Sequence, residues 1–340
     1  MRRVALIYNP VSGQRPERRA ALIAEVLEVL RQAGLEVKTI ATESPESAGT
    51  QAQEAMHAGY DTILACGGDG TVHESLQKLV GGSAALGVIP MGTANALAAD
   101  LGLPSSPVKA AKTLLTATPQ RVSVGRVFYR DGNGKERSRY FIVAAGIGAD
   151  ALFFSRLDSQ LKQRFGYVVY LVEAFRLWVT YQYPMFVASF AESGKQTARA
   201  TEVSQLLAVR IGNFGGAVGN LVPGAGRGNH NLHAIAFKTR SSLRYLRFMV
   251  SALCGRPAYS ETIEVVDCIS VECRELEGAK TRSFVEADGE WLGMLPVRME
   301  VVPDALTVMV PQETMGQNRA SIIRLCARIR LLRHTHVKEA

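Results

Sequence analysis

The sequence predicts two joined folds: an α/β N-terminal domain on a parallel sheet, followed by a mainly-β sandwich C-terminal domain. Three observations carry this. Through the first third of the chain, short apolar runs alternate with amphipathic helical stretches. The loops after those runs are rich in Gly, Ser, Thr and Asn. Beyond residue 121 the helical periodicity gives way to short strand-like stretches separated by turn signals. Alternating strands and helices imply a parallel sheet with helices on its faces, whereas closely spaced short strands imply a sandwich. A chain of 340 residues has room for both cores without disulfide staples.

The elements follow in order. Residues 4–8 form an apolar run too short for a signal peptide, and it leads straight into Asn9-Pro10, so it reads as the first strand of a cytoplasmic protein. Asn9-Pro10-Val11-Ser12-Gly13 is a turn. Residues 17–33 form a helix with Leu22, Val26, Val29 and Leu30 on one face, stopped by Gly34. Residues 35–41 are a second strand ending at Thr42, residues 47–58 a second helix and residues 61–65 a third strand. That strand enters Cys66-Gly67-Gly68-Asp69-Gly70-Thr71-Val72-His73-Glu74, ahead of a helix expected from Ser75. Glycines allow close backbone approach to a ligand, and the free N–H groups of a helix start favour an anion. A fourth strand, 85–89, ends in Pro90-Met91-Gly92-Thr93-Ala94-Asn95. Ligands of such sheets bind at the carboxyl ends of the strands, where these four loops converge.

Further strands are expected at 121–129, 139–145, 185–191, 205–211, 234–237, 262–266, 269–272, 282–286, 297–302 and 306–310. Asp131-Gly132-Asn133-Gly134 is a hairpin turn. An apolar helical segment near 160–182 interrupts the set, and Glu173 and Arg176 argue against its crossing a membrane. The resulting division is 1–121, 122–311 and a tail, 312–340. The net charge is +8, and residues 317–340 hold six basic residues against Glu339. There Ile322, Leu325, Cys326, Ile329 and Leu332 recur at helical spacing between arginines, the pattern of a basic amphipathic helix on anionic lipid or of a terminal helix with a solvated basic face. The five cysteines show no C-x-x-C spacing, so no disulfide framework or zinc site is indicated.

Several chemistries are excluded. There is no G-x-x-x-x-G-K-[ST] and no G-x-S-x-G, so neither a P-loop nor a nucleophile elbow is present. Gly146-Ile147-Gly148-Ala149-Asp150-Ala151 fits G-x-G-x-x-A, without the acidic residue that a dinucleotide site places about 20 residues on. His73 reads as a helix-start residue, and nothing marks His230 or His233 as metal ligands.

The rim loops, Gly146-Ile147-Gly148-Ala149-Asp150 and Asp288-Gly289-Glu290 together resemble the diacylglycerol kinase catalytic-domain family, which includes bacterial lipid kinases and the sphingosine and ceramide kinases. The Gly-Gly-Asp-Gly-Thr piece alone also fits NAD kinases. The resemblance implies an NAD-kinase/diacylglycerol-kinase-like fold, nucleotide in the cleft, and transfer of the ATP γ-phosphate to a lipid hydroxyl with Mg2+. It implies that Asn9, Pro10, Val11, Ser12, Gly13, Gly67, Gly68, Asp69, Gly70, Thr71, Gly92 and Asn95 cradle the nucleotide, joined by Thr42, Glu74 and Thr93. Glu290 matches the proton acceptor, with Asp69 and Asp288 as further catalytic carboxylates and Asp288 a candidate Mg2+ ligand. Asp150 is expected near the acceptor head, and Phe153, Phe154, Tyr167, Val168 and Leu171 are candidate pocket walls.

The expected partners are a lipid substrate and an anionic membrane surface met peripherally. No nucleic acid is expected, and oligomeric state is open, a homodimer included. Three departures shape the alternatives. Ala96 follows Asn95 where many bacterial members have Asp, and Ser123 stands where the family has Asp. Pro223 is followed by a loop without carboxylates, so no structural Mg2+ site is expected there. The alternatives are an NAD kinase-like enzyme and a catalytically degenerate lipid-binding or regulatory protein.

Overall fold

The structure, a computed structural model, describes residues 1–11, 16–44, 46–149, 151–152, 176, 180–195, 197–215, 221–222, 224–226, 229–279 and 281–312. Strands β1 (Arg3–Tyr8), β2 (Glu36–Ala41), β3 (Thr62–Gly67) and β4 (Ala85–Pro90) pair in parallel in the order β2-β1-β3-β4. Helices α1 (Pro16–Gln32), α2 (Ser47–His57), α3 (Asp69–Leu79), α4 (Ala96–Asp100) and α5 (Pro107–Leu114) come from the same part of the chain. β3 and β4 are buried along their whole length, as a parallel sheet covered on both faces requires. On α1, Ile23, Val26 and Leu30 enter the core one turn apart, with Leu22 and Val29 half-buried beside them.

The sandwich has two antiparallel layers. One is β12 (Ile263–Cys268), β11 (Leu232–Phe237), β10 (Gln205–Val209), β7 (Ala144–Ile147), β14 (Phe284–Ala287) and β15 (Glu290–Met294), in that order. The other joins β13 (Ser270–Glu275), β8 (Phe186–Ala191) and β9 (Arg199–Val203) to β16 (Val297–Val310), with β5 (Thr118–Arg130) and β6 (Glu136–Phe141) on the far side of β16. Phe141, Phe186, Phe190, Leu206 and Met299 fill the space between the layers.

β5 and β16 tie the two folds into one framework. β16 pairs with β4 at Val308, so the parallel sheet continues into the sandwich. Val122, Val124, Leu306 and Val308 belong to the first core, whereas Val127, Val297 and Met299 belong to the second. Residue 121 lies within β5. The stretches expected as two strands, 297–302 and 306–310, form one strand with a register shift between Val302 and Leu306. The single strand expected at 139–145 is instead two, broken at Ile142 and Val143, because the N–H groups of both bond to Asp288. Four elements had no counterpart in the sequence reading: α5, α6 (Ser242–Leu253), β9 and β15.

Candidate active site

The carboxyl ends of β1 to β4 form one rim. The helix after β3 begins at Asp69 rather than at Ser75, so the glycine-rich stretch is largely the helix's own first turn. Its N-cap, Gly68, has no side chain to cap the first turn; the Thr71 N–H returns to the Gly68 carbonyl at 3.1 Å, which leaves the N–H of exposed Gly70 to meet an anion. Packing here excludes a Cβ. One on Gly67 would lie 2.3 Å from Thr71 Oγ1, and one on Gly92 would lie 2.5 Å from the Gly68 Cα. Two rim loops therefore meet backbone to backbone.

Asn95 closes the third loop on itself. Its Oδ1 accepts from the Gly92 N–H at 2.9 Å, and its Nδ2 donates to the Gly92 carbonyl at 2.8 Å. It does so from left-handed backbone, φ 50°, which Asn tolerates better than most residues. The half-buried Asp69 carboxylate accepts the N–H groups of Asn95 and Ala96, both at 2.8 Å, stitching the start of α3 to the start of α4. Burial raises the pKa of Asp69 and the nearby Asp288 charge adds to it, against the lowering pull of those two N–H groups.

Facing the rim, the β14–β15 turn carries Asp288, Gly289 and Glu290. The Asp288 side chain is only 3% exposed. Its Oδ1 accepts from Val143 and Ala144 at 2.9 and 3.0 Å, and its Oδ2 from Ile142 at 2.9 Å. The same Oδ2 lies 3.1 Å from His73 Nδ1. The other ring nitrogen, His73 Nε2, receives Arg139 Nε at 2.8 Å. A guanidinium only donates, so Nε2 must be the acceptor, and the proton sits on Nδ1, directed at Asp288.

Arg139 also bridges two glutamates. Its Nη2 pairs with Glu74 and lies 2.5 Å from Glu290 Oε2. Burial raises the pKa of Glu74, Arg139 opposes this, and Glu290 adds to it. Glu290 is the open member of the cluster, with a side chain 37% exposed.

The remaining expected residues line the same edge. Thr42 follows β2 and its N–H bonds to the Tyr8 carbonyl at 2.9 Å. Asn9 Oδ1 accepts the Val11 N–H at 2.9 Å, and the Pro10 carbonyl accepts from Arg19. Val11, Gly70 and Thr93 are exposed, whereas Thr71 is buried. Ser12, Gly13, Asp150, Phe153, Phe154, Tyr167, Val168, Leu171 and the tail 317–340 lie outside the described residues.

Residues 3–127 match the family model of the diacylglycerol kinase catalytic domain. Residues 141–310, half of the chain, match that of the YegS C-terminal NAD kinase beta sandwich-like domain. The chain belongs to the diacylglycerol kinase family. The diacylglycerol kinase of Bacillus subtilis (strain 168) is 28% identical over 320 residues, covering 93% of this chain and 99% of that protein. That of Staphylococcus saprophyticus is 32% identical over 178 residues, 52% of this chain and 55% of that protein. A solved diacylglycerol kinase from Bacillus anthracis str. Sterne gives a TM-score of 0.66 at 19% identity, covering 92% of this chain and 98% of that one. Yeast NADH kinase complexed with NADH gives 0.52 at 10% identity, covering 92% and 84%. At these identities the likeness to both structures is one of fold. Diacylglycerol kinases are phosphotransferases with an alcohol acceptor, and the chain is an enzyme of that lipid-kinase class.

Two positions depart from the family pattern. Ala96 contributes only its N–H, to Asp69. Ser123 is buried, with its Oγ 3.2 Å from His230 Nδ1 and accepting the Asp304 N–H at 3.3 Å. A neutral hydroxyl thus stands where the diacylglycerol kinase pattern leads one to expect a carboxylate. In the loop after Pro223, the carbonyls of Asn229 and Asn231 are held by the guanidinium of buried Arg210, which also donates to the Ser123 carbonyl. Burial pulls the pKa of Arg210 down to about 10.

His73, Glu74 and Glu290 bring ligand atoms within 4.8 Å of one another. They do not fit a resident divalent cation, because the Arg139 guanidinium already pairs with both glutamates and with His73 Nε2. Asp288 has both oxygens engaged by N–H donors, which makes it a brace between α3 and the sandwich.

Sequence reasoning passed over His73 and Arg139. For His73 a signal existed: it stands one helical turn after Asp69, on the same face of α3. Arg139 left none, since an arginine in a hairpin strand is ordinarily a solvent-facing residue.

Proposed function

We propose that this protein is an ATP-dependent kinase that moves the γ-phosphate onto the hydroxyl of a diacylglycerol or of a sphingoid or ceramide-type lipid, at an anionic membrane surface. The observation that carries the reading is the meeting of two half-sites. A glycine-built rim that ends in a helix N-terminus faces Glu290, the most open carboxylate of a braced cluster. Phosphoryl transfer asks for positioning, charge stabilisation and a base at the attacking hydroxyl.

In this reading Gly67, Gly68, Gly70, Thr71, Gly92 and Asn95 seat the phosphates, with Asn9, Pro10, Val11, Ser12, Gly13, Thr42, Glu74 and Thr93 around them. Asp69 holds the second and third rim loops in register. Glu290 accepts the hydroxyl proton, and Arg139, tied to Glu74 and His73, fixes its carboxylate. Asp288 keeps His73 in the tautomer that receives Arg139. Asp150 meets the acceptor head. Mg2+ accompanies the nucleotide phosphates, since it retains water and takes substrate oxygens more readily than a protein cage.

The test is direct. Purified protein with labelled ATP and Mg2+ is offered diacylglycerol, sphingosine and ceramide in mixed micelles, and NAD in solution. A labelled lipid is expected, and it should vanish with Asp69→Ala and with Glu290→Ala. Label in NAD would move the protein to the NAD kinase class. ATP binding without any labelled product would point to a degenerate site.

A further inference from the structure

The helix α6 has two apolar faces. Tyr245, Phe248 and Ala252 are buried, and Tyr245 stacks between Tyr183 and Phe237 at centroid distances of 4.3 and 4.8 Å. The second face is exposed: Leu243 by 70%, Met249 and Val250 by 51% each, with Leu246 and Leu253 beside them. At 100° per residue these five fall within an arc of about 120°. Single exposed apolar residues need no explanation, but a contiguous stripe marks an interaction surface.

The border of the stripe is basic. Arg247 and then Arg244 follow Leu243 around the helix, Arg240 and Arg256 flank its ends, and no Asp or Glu occurs from residue 238 to residue 260. Arg240 shares a shallow pocket with Glu277, so the attraction rests mainly on Arg244 and Arg247. Neither of these has an ion-pair partner among the described residues, whereas Lys238 is paired with Glu264 at 2.7 Å. An apolar stripe edged by exposed guanidiniums matches a surface that offers hydrocarbon beneath a layer of negative charge.

We propose that the outward face of α6 docks on a bilayer containing anionic lipid. Leu243, Leu246, Met249, Val250 and Leu253 enter the acyl boundary, and Arg244 and Arg247 meet the headgroups. This rests on the reading of the chain as an enzyme of a membrane surface and names the element that makes the contact. Its place supports this: Tyr183, which packs on α6, is the last residue of the apolar segment Ala151–Tyr183 expected to cover the acceptor.

The test is co-sedimentation of the full chain with vesicles of phosphatidylcholine alone or mixed with phosphatidylserine. No ATP or acceptor is added, so the result is independent of turnover. Binding is expected only with phosphatidylserine and should weaken with salt. Leu246→Glu with Met249→Glu should lower it by at least about tenfold, since burial of each Leu or Met is worth that much or more. Arg244→Gln and Arg247→Gln should each lower it about fivefold. All four side chains point outward, and circular dichroism checks that the helix is kept. Binding by the double glutamate variant equal to that of the unaltered chain would overturn the proposal, whatever the tail contributes. So would a dimer that the double variant splits without either form binding vesicles, because a second copy would then cover the face. Vesicle binding without any labelled lipid would leave α6 docking standing and overturn the kinase reading; labelled lipid without vesicle binding would do the reverse.

Discussion

The rim and the carboxylate cluster face each other but are held by opposite means. The rim is main-chain architecture: glycines at van der Waals limits, a left-handed Asn95, and one carboxylate collecting two N–H groups. Its parts come from the ends of neighbouring strands. The cluster is side-chain architecture drawn from α3, β6 and the β14–β15 turn, and its central contact joins residues 215 positions apart. Backbone geometry fixes where phosphates can lie. A side-chain relay, Asp288 to His73 to Arg139 to Glu290, fixes where a proton acceptor points. The contrast predicts different failures: damage to the cluster should strike the chemical step, and damage to the rim should strike nucleotide affinity.

The sharpest break is Glu290→Gln. It keeps the shape and leaves Arg139 an acceptor oxygen, but removes the base. Turnover should fall by about 10²- to 10⁴-fold while the Kd for ATP stays within about twofold. A large loss of ATP affinity instead would mean that Glu290 belongs to the rim.

A smaller effect should come from Gly92→Ala. The added methyl would sit 2.5 Å from the Gly68 Cα, which is backbone, and 2.9 Å from Asn95 Oδ1, which is tied to the Gly92 N–H. The loops must part, at an overpacking cost of about 1–3 kcal/mol. The expected result is a KM for ATP raised about tenfold with a smaller change in kcat. Unchanged KM would show that nucleotide does not use this backbone contact.

The same contrast explains what was legible in the sequence. Rim residues announce themselves because only glycine fits at Gly67 and Gly92, and because each loop directly follows a strand of recognisable pattern. The parallel sheet was legible for that reason, as were the sandwich and the Asp288-Gly289-Glu290 turn. The break in strand pairing at Ile142 and Val143 was not, because its cause is a carboxylate far along the chain. Arg139 was illegible on the same ground: its partners, Glu74 and Glu290, come from two other elements. The length of β16 was hidden too: the expected strands stop at 302 and resume at 306, while the strand continues through Pro303 and Asp304 by shifting register. α6 escaped because both of its faces are apolar, which blurs the one-sided periodicity of an ordinary surface helix.

The subtlest test concerns Asp69, where the two regions touch electrostatically. Burial, with help from Asp288, raises its pKa above the ordinary value of 3.8. A carboxyl raised in the folded state holds its proton more tightly there than in the unfolded chain. Its stabilising contribution is therefore complete below pH 3.8 and is lost as pH climbs from there through the folded-state pKa. Asp69→Asn cannot ionise and escapes that loss. The Tm of the unaltered protein should thus drift downward relative to Asp69→Asn between pH 4 and pH 7, by about 1–3 °C, a modest range because a half-buried group is partly screened. Glu74 is raised by burial too, but it is present in both proteins and cancels in the difference. Constant offsets, such as the weaker grip of an amide on the Asn95 and Ala96 N–H groups, also cancel, because only the slope with pH is read. A drift in the opposite direction would mean that those N–H groups outweigh burial, and that the rim stabilises the Asp69 charge rather than tolerating it.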